Sequence, residues 1–221
     1  MKAAELQYSD KTEDYFTHAR REILPLLPSH AARALEVGCG AGHTLSLLKE
    51  QGVCDWVCGI EISPAAAEQA ALRLDRVVQG NIEAMELPLE PGSIDLLLCL
   101  DVLEHLVDPW ETLRRLTTLL SPNGVLVASI PNVRYYRVLL PLMLQGRWDY
   151  QDSGILDRTH LRFFTRDTAI ELVESSGLSV KQVRATNAHV GNWKYLLLDA
   201  LTLSRVRPYF EFQYLIRAHR G

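Results

Sequence analysis

The stretch "ALEVGCGAGHT", residues 34–44, places three glycines at alternate positions between a short apolar run and a helical pattern. Gly38, Gly40 and Gly42 have no Cβ, so the backbone of such a loop can approach a bound nucleotide closely. The motif alone also fits a tight turn that binds no ligand. The stretch therefore predicts a strand–loop–helix unit of an α/β fold with a candidate nucleotide-binding loop.

Short β-type runs alternate with helical patterns on either side of this loop. The predicted strands cover residues 33–37, 56–60, 76–79, 93–99 and 124–130. The predicted helices cover 13–27, 42–51, 64–74 and 109–120, and the first belongs to an expected N-terminal lid helix at about 10–28. Continuous apolar strands separated by helices are typical of a parallel sheet with helices on both faces.

The pattern changes after Ile130. Residues 132–164 are rich in aromatic residues and arginines, and we interpret them as an insertion. Beyond it the sequence predicts a helix at 165–176, a strand at 178–185, a helix at 192–204 and a strand at 211–220. The whole chain, 1–221, is expected to form a single domain.

Composition and charge restrict the classes of function. The 48% of hydrophobic residues suffice for a core, and the net charge of −4, with a pI near 6.0, argues against nucleic acid as a partner. The four cysteines form no C-x-x-C pair and lie in apolar settings, which indicates buried reduced thiols. We expect neither a signal peptide nor a transmembrane segment, and hence a cytoplasmic protein.

Polar residues follow the later strands at positions suited to a nucleotide. Glu61 ends the second strand, where a carboxylate can accept hydrogen bonds from both ribose hydroxyls and would repel the 2′-phosphate of NADP. Asn81 and Ile82 follow the third strand and offer an amide and an apolar side chain to an adenine ring. After the fourth strand come Asp101, Glu104 and His105. The sequence thus predicts a nucleotide site at the carboxyl edge of the sheet.

The ordered segments "LEVGCGAG", "GIEIS", "GNIE" and "SIDLLLCLDVLEHLVDPW", with "LDRTHLRFFTR" at 156–166, resemble the motifs of class I S-adenosylmethionine (SAM)-dependent methyltransferases. The resemblance is greatest to the branch with ubiquinone-biosynthesis O-methyltransferases and sugar or glycan methyltransferases of bacterial polysaccharide clusters. It implies a Rossmann-like fold with a seven-stranded, mostly parallel sheet whose last strand is antiparallel. It also implies SAM as the cofactor and S-adenosylhomocysteine as the product. NAD is the weaker alternative, because a pyrophosphate would need more donors than this loop offers.

The resemblance also assigns roles to individual residues. The glycine loop would bind the methionine end of the cofactor, Glu61 the ribose, and Asn81 with Ile82 the adenine. The family commonly has Asp at position 81, but an amide can also pair with adenine. Leu100 and Asp101 would lie beside the sulfonium. The complete implied set of cofactor-binding residues is Glu36, Gly38, Cys39, Gly40, Gly42, Glu61, Ile62, Asn81, Ile82, Leu100 and Asp101.

Three residues are candidates for catalysis. Methyl transfer to an aliphatic hydroxyl benefits from a general base, and His105, its neighbour Glu104, and His160 are the candidates. A structural alternative is that Glu104 and His105 only brace the loop after the fourth strand. Small-RNA 2′-O-methyltransferases of the same superfamily bind a divalent metal through a similar E-x-x-E-H pattern and a distant histidine. Here Asp101 replaces the first Glu, so we favour a site without metal.

Residues 132–154 lie where relatives insert their acceptor-recognition segment. We predict that Arg134, Tyr135, Arg147 and Trp148 bind the acceptor, since aromatic rings stack on sugars and arginines pair with phosphate or uronate. The alternative is a solvated lid helix with ordinary packing aromatics. The apolar runs "VLLPLMLQ" and "WKYLLLDALTL" are predicted to be buried helix faces rather than membrane contacts.

The sequence therefore predicts a SAM-dependent methyltransferase, with a hydroxyl of a sugar or glycan precursor as the expected acceptor. One alternative is O-methylation of a quinone-type phenol. Another is a SAM-binding accessory subunit without turnover. The expected partners are a small-molecule or glycan acceptor and, in a homodimer, a second copy of the chain; a monomer is the other expected state.

Overall fold

The computed structural model describes residues 19–87, 89–187, 193–202 and 204–220. Its strands are β1 (Ala31–Val37), β2 (Cys54–Glu61), β3 (Arg76–Gln79), β4 (Ile94–Leu100), β5 (Leu120–Pro131), β6 (Leu178–Asn187) and β7 (Glu211–Arg220). Its α-helices are α1 (His43–Glu50), α2 (Pro64–Ala71), α3 (Pro109–Thr117), α4 (Tyr136–Gln145), α5 (Arg166–Ser175) and α6 (Trp193–Leu201). Short 3-10 turns cover Arg21–Leu26, Leu103–His105 and Arg207–Tyr209.

The strands form one seven-stranded sheet in the order β3-β2-β1-β4-β5-β7-β6. Strands β1 to β5 pair in parallel, whereas β7 is antiparallel to both β5 and β6. This confirms the predicted fold class, including the antiparallel last strand. The chain leaves β1 toward β2 and β3 and later returns on the other side of β1 as β4. At such a reversal the carboxyl ends of the strands open a crevice in which α/β sheets bind ligands.

Both faces of the sheet are buried. In β4, Leu97 belongs to the apolar cluster on one face, and its neighbours Leu96 and Leu98 belong to the cluster on the other. Successive side chains of a strand point to opposite faces, so a strand covered on both sides needs an apolar residue at every position. This explains the continuous apolar runs in the sequence.

The described part of the N-terminal segment is not an α-helix. The predicted helix at 13–27 and the lid helix at about 10–28 begin outside the described residues. Within them, Arg21–Leu26 forms a 3-10 turn with Pro25 inside it. Proline has no N–H to donate and its ring clashes with the preceding turn of a regular α-helix, so the α-helix expected here is wrong. Ile23 and Leu26 are buried and anchor the turn in the core.

Strand β5 begins earlier than predicted, at Leu120 instead of residue 124. Leu120 pairs with Ile94, and the next pair on the ladder is Val125 with Leu96. The Pro-Asn-Gly segment at 122–124 therefore lies inside β5, at an irregularity in its pairing with β4. Such a bulge leaves residues of one strand unpaired while both flanks stay in register.

The region predicted as an insertion contains α4 and a small apolar cluster of its own. Four buried side chains form this cluster, and the rings of Trp148 and Phe163 pack against it. The buried members are Tyr135, Val138, Ile155 and Leu156.

For the first of the two apolar runs, the prediction of a buried helix face is wrong, because only Val138 is buried in α4. The large exposed apolar side chains of α4 are Leu140, Leu142, Met143 and Leu144. In α6, Leu196, Leu197 and Leu201 are exposed. The side chains of residues 193–195 and 198 lie outside the described part of the chain, so the prediction for the second run stays a prediction. Residues 192 and 203 of the predicted last helix lie outside the described residues. No helix in the described part of the chain has the length and apolar character to cross a bilayer.

Candidate functional site

A cavity of about 380 Å³ opens at the carboxyl ends of β1, β2 and β4. This volume lies in the range of small-ligand sites. All the predicted cofactor-binding residues except Gly42 line the cavity, and three further residues on its wall are Arg20, Thr44 and His105. The structure therefore brings together side chains that are distant in sequence, such as Arg20 and Asp101, which are 81 residues apart.

The glycine loop after β1 forms one wall of the cavity. Gly38 has φ 68°, in the left-handed region that favours glycine, and Gly40 and Gly42 have φ 53° and 82°. A Cβ at Gly38 would lie 2.5 Å from Cγ2 of Val102 on the loop after β4. The N–H of Gly38 donates to the carbonyl oxygen of Ile60 at 2.8 Å. Glycine is thus required where the loops after β1 and β4 approach each other.

Glu61 is held in place by the backbone of two neighbouring segments. Its carboxylate is buried and accepts the N–H of Gly40 at 2.8 Å and the N–H of Ser63 at 2.9 Å. Burial raises the pKa of Glu61, and these backbone donors oppose the rise. A carboxylate has about four acceptor positions, so the group can still accept hydroxyl donors from a ribose.

Glu36 places an unsatisfied carboxylate oxygen at the cavity. The residue is 3% exposed, and among the described residues its Oε2 has no hydrogen-bond partner. Burial raises the pKa of Glu36 to about 8; the charge of Arg20 lowers it, and that of Glu61 raises it. Buried polar atoms are normally hydrogen-bonded, so an unpaired one at a cavity wall fits a ligand that brings a donor. The ammonium group at the methionine end of SAM is such a donor.

Asp101 connects three parts of the chain. Its φ of 56° is uncommon for a residue other than glycine. Oδ1 accepts the hydroxyl of Ser129 at 2.6 Å and the amide of Gln213, and Oδ2 pairs with the guanidinium of Arg20. These partners come from β5, β7 and the N-terminal segment, and together they hold the unusual backbone conformation.

Arg20 is a candidate functional residue that sequence reasoning missed. Its side chain is 18% exposed, lines the cavity, and pairs with both Asp101 and Glu22. Nη2 also lies 3.2 Å from the hydroxyl of Ser129 and 3.4 Å from Oε1 of Gln213. No motif surrounds Arg20, and its partners Asp101, Ser129 and Gln213 are distant in sequence, so no local signal marks its place in the cavity.

The loop after β3 forms another part of the cavity wall. Oδ1 of Asn81 accepts the N–H of Glu83 at 2.9 Å, which orients the amide, and Ile82 is buried beside it. Cys39 lines the wall but packs closely against β2, since a Cβ at Gly59 would lie 2.3 Å from its Sγ. Burial raises the pKa of the Cys39 thiol, so Cys39 contributes shape rather than reactivity.

The three predicted catalytic residues lie together. His105 lines the cavity, and the ring of His160 packs edge-on against it with 4.5 Å between centroids. Glu104 is 1% exposed, and its Oε1 lies 3.9 Å from Nε2 of His160. Among the described residues, neither carboxylate oxygen of Glu104 has a hydrogen-bond partner. Burial, with repulsion from Asp101, raises the pKa of Glu104 well above its usual value and favours the neutral acid.

Hydrogen bonds set the proton position on His105. Its Nδ1 lies 3.1 Å from both the carbonyl oxygen and the hydroxyl of Thr159. That hydroxyl donates to Oδ1 of Asp157 at 2.7 Å, so it accepts from His105. Nδ1 therefore carries the proton, and the lone pair of the neutral ring is on Nε2. His160 Nδ1 likewise donates to the carbonyl oxygen of Ile155 at 2.9 Å.

Glu104, His105 and His160 each offer a metal-ligand atom within 4.8 Å of the others. Asp101, the fourth residue of the metal interpretation, is not in this group. Leu103–His105 is a short 3-10 turn, and no helix begins at Asp101. The carboxylate of Asp101 pairs with Arg20 instead. Asp101 and His105 therefore do not share a helix face.

The four predicted acceptor-binding residues lie outside the cavity. The guanidinium of Arg134 stacks over the ring of Tyr209 at 4.7 Å. Tyr135 is 6% exposed and packs edge-on against Phe212, with 5.5 Å between centroids. Arg147 is exposed and pairs with Asp149.

Trp148, the fourth of these residues, starts a series of aromatic contacts that leads to the cavity. Its ring packs against Phe163 at 5.2 Å, Phe163 lies 6.4 Å from His160, and His160 contacts His105. Of the four, Trp148 is thus linked to the cavity wall through packed rings.

A methyltransferase-domain family model matches residues 11–183 of the chain, which is most of its length. The chain belongs to this methyltransferase family. The family and the fold imply SAM as the cofactor, and the unpaired carboxylate oxygen of Glu36 fits the cofactor's ammonium group.

Two curated relatives illustrate the range of this methyltransferase family. The chain is 29% identical to a ubiquinone biosynthesis O-methyltransferase of Cupriavidus pinatubonensis over 161 residues, covering 66% of this chain and 63% of the relative. It is 32% identical to a trans-aconitate 2-methyltransferase of Methylobacterium radiotolerans over 140 residues, covering 62% of this chain and 54% of the relative. In both cases the match spans less than two thirds of the relative's length.

Solved structures share the fold of this methyltransferase domain. A Haloferax volcanii methyltransferase, in complex with the Trm112 methyltransferase activator, superposes with a TM-score of 0.69 at 16% identity, covering 99% of this chain and 98% of that chain. A SAM-dependent methyltransferase from Archaeoglobus fulgidus superposes with a TM-score of 0.66 at 20% identity, covering 94% of both chains. At these identities the likeness establishes the fold alone.

Proposed function

We propose that the chain transfers a methyl group from SAM to a hydroxyl of a sugar or glycan precursor, with His105 as the general base. The observation that carries this proposal is the position of His105: its ring lines the cofactor cavity, and its Nδ1 proton is directed to Thr159. In this tautomer Nε2 carries the lone pair, so the ring can accept a proton.

Different cavity residues bind different groups of SAM. Glu36 takes the ammonium group, Glu61 the ribose hydroxyls, and Asn81 with Ile82 the adenine. Arg20 adds a cation beside Asp101 that suits the carboxylate of the methionine end. When bound, SAM supplies a methyl group on a positively charged sulfur, which is already a very good leaving group.

The protein must therefore orient the acceptor and accept its proton. We assign proton removal to Nε2 of His105. Thr159 and Asp157 hold the ring in the required tautomer, in the way that an acidic group orients the histidine of other acid–base sites. Glu104 and His160 pack behind His105 and position it.

The sugar or glycan assignment rests on the composition of residues 132–154. Arg134 and Arg147 offer cations for phosphate or uronate, and Trp148 offers a ring joined by packing to the cavity wall. The name of one curated relative, a ubiquinone biosynthesis O-methyltransferase, supports O-methylation, whereas another relative is named a trans-aconitate 2-methyltransferase. A quinone-type phenol is therefore the comparison acceptor in the experiment.

We propose that the reaction needs no divalent metal. Of the four residues in the metal interpretation, Asp101 is bound by Arg20, Ser129 and Gln213. The other three residues, Glu104, His105 and His160, lie close to one another, so removal of metal by a chelator tests the proposal.

Mass spectrometry of acceptor mixtures tests the proposed function. The purified protein is incubated with SAM and nucleotide sugars, glycans or quinone precursors, and products are sought that gain one methylene, about 14 Da. We expect the gain on a sugar or glycan hydroxyl. A gain on a phenol alone would reject the sugar assignment, and SAM binding without any turnover would favour an accessory subunit.

The matched variants His105→Ala and His30→Ala test the base. His30 is exposed and pairs with Asp55, away from the cavity residues. We expect His105→Ala to lower turnover by about 10²–10⁴-fold with little change in SAM affinity. His30→Ala should match the wild type. Full activity of His105→Ala would assign the residue a structural role only.

A further inference from the structure

Helix α4 carries an exposed apolar stripe. Leu140, Met143 and Leu144 are 48%, 74% and 75% exposed. Spacings of three and four residues place side chains on one side of an α-helix. Contiguous exposed apolar side chains of this kind mark interaction sites in proteins that remain soluble.

Arginines lie on both sides of the stripe. Arg137 precedes Leu140 by one helical turn, and Arg147 follows Leu144 at a similar spacing; both are exposed. Helix α4 contains no acidic residue. Arg147 does pair with Asp149, but the pair is exposed, and exposed ion pairs are weak. Leucine and methionine edged by arginine is the pattern of helices that lie in a membrane interface.

We propose that α4 docks the protein on an anionic phospholipid surface. The leucines and the methionine enter the acyl boundary, while Arg137 and Arg147 reach the lipid phosphates. The small area of the apolar stripe favours a lipid surface over a protein partner. The stripe on one ten-residue helix offers a few hundred Å², well below the roughly 800 Å² per partner of a stable protein interface.

The docking surface adjoins the acceptor side of the candidate site. Trp148 directly follows Arg147, and its ring begins the series of contacts that leads through Phe163 and His160 to His105. An acceptor carried on a lipid would therefore reach His105 from the membrane side. This last step rests on the proposed function, whereas the docking itself does not.

Vesicle co-sedimentation tests the docking without any acceptor or turnover. The wild-type protein is compared on vesicles of phosphatidylcholine alone and on vesicles that also contain phosphatidylglycerol. We expect binding to the anionic vesicles, and at least a tenfold loss of affinity in L140Q/M143Q/L144Q. R137Q/R147Q should lose about fivefold per arginine, and added salt should remove that difference.

Leu72→Gln is the matched control. Leu72 is 79% exposed, directly follows α2, and lies toward the β3 edge of the sheet, away from β7. Leu72→Gln should bind vesicles like the wild type, and calorimetry with SAM should give equal affinity for all variants.

Three results would overturn the proposal. The wild-type protein could fail to bind anionic vesicles, or Leu72→Gln could lose as much vesicle affinity as L140Q/M143Q/L144Q. Sedimentation velocity could also show a wild-type dimer that the α4 variants convert to monomers. Because vesicle binding is measured without turnover, its failure leaves the proposed methyl transfer intact, and the reverse also holds.

Discussion

Replacing Glu36 with glutamine should stabilise the free protein and weaken its binding of SAM. Glu36 is buried, and in the described structure its Oε2 has no hydrogen-bond partner, so the ionised side chain is costly in the absence of ligand. Glutamine has nearly the same shape and no charge. A residue that serves the fold alone would not show these two opposite effects.

The size of the stabilisation follows from the pKa of Glu36, which rises from 4.5 to about 8 on folding. The folded protein holds a proton that the unfolded chain releases, so this group's contribution is fully present below about pH 4.5 and is lost as the pH rises through 8. At about 1.4 kcal/mol per pH unit, the wild type loses about 3 kcal/mol of free energy of unfolding between pH 4.5 and 7 through this residue. Glu36→Gln does not lose it.

Urea unfolding of both proteins at several pH values measures the effect. We expect Glu36→Gln to be about 2–3 kcal/mol more stable than the wild type at pH 7 and nearly equal to it at pH 4.5. Calorimetry should show SAM affinity at least about tenfold lower, since the ammonium loses its charged partner. The exposed Glu68→Gln is the control for the loss of one charge. Equal stability at pH 7, or unchanged SAM affinity, would refute the reasoning.

Three further predictions concern the cofactor, the metal and the acceptor. Glu61→Ala should weaken SAM binding in calorimetry by about 1.5–3 kcal/mol, because ribose hydroxyls are left unpaired; unchanged affinity would remove Glu61 from the site. Chelators should leave turnover unchanged, and activity that is lost to a chelator and restored by Mn or Mg would instead assign a metal to Glu104, His105 and His160. Trp148→Ala should raise the KM for the acceptor several-fold while SAM affinity stays the same; an equal loss of SAM binding would place Trp148 in the cofactor pocket.

Local sequence signals predicted much of the fold and of the cofactor wall. The strands were visible because a sheet covered on both faces needs apolar residues at successive positions, as Leu96, Leu97 and Leu98 show. The sequence marked Gly38 because a left-handed backbone close to Val102 leaves no room for a side chain, so the position requires glycine. Such constraints act within a few residues, so a short motif records them.

The features that the sequence did not reveal depend on contacts between distant segments. Arg20 pairs with Asp101, which is 81 residues away in the sequence, and Gln213 donates to the same carboxylate from 112 residues away. No pattern around any of the three records these pairings. The exposure of α4 was missed for a related reason: apolar spacing predicts one apolar side of a helix but does not state what that side packs against.

Strand β7 imposes an order on the synthesis of the protein. It lies between β5 and β6, although the ribosome makes it after both. Until Glu211–Arg220 emerges, β6 has no partner strand in the sheet, and the Asp101 carboxylate lacks its bond from Gln213. Until β7 has been made, the nascent chain therefore exposes an unpaired edge of β5 and an unpaired β6. We expect protection by a chaperone to matter most in this interval.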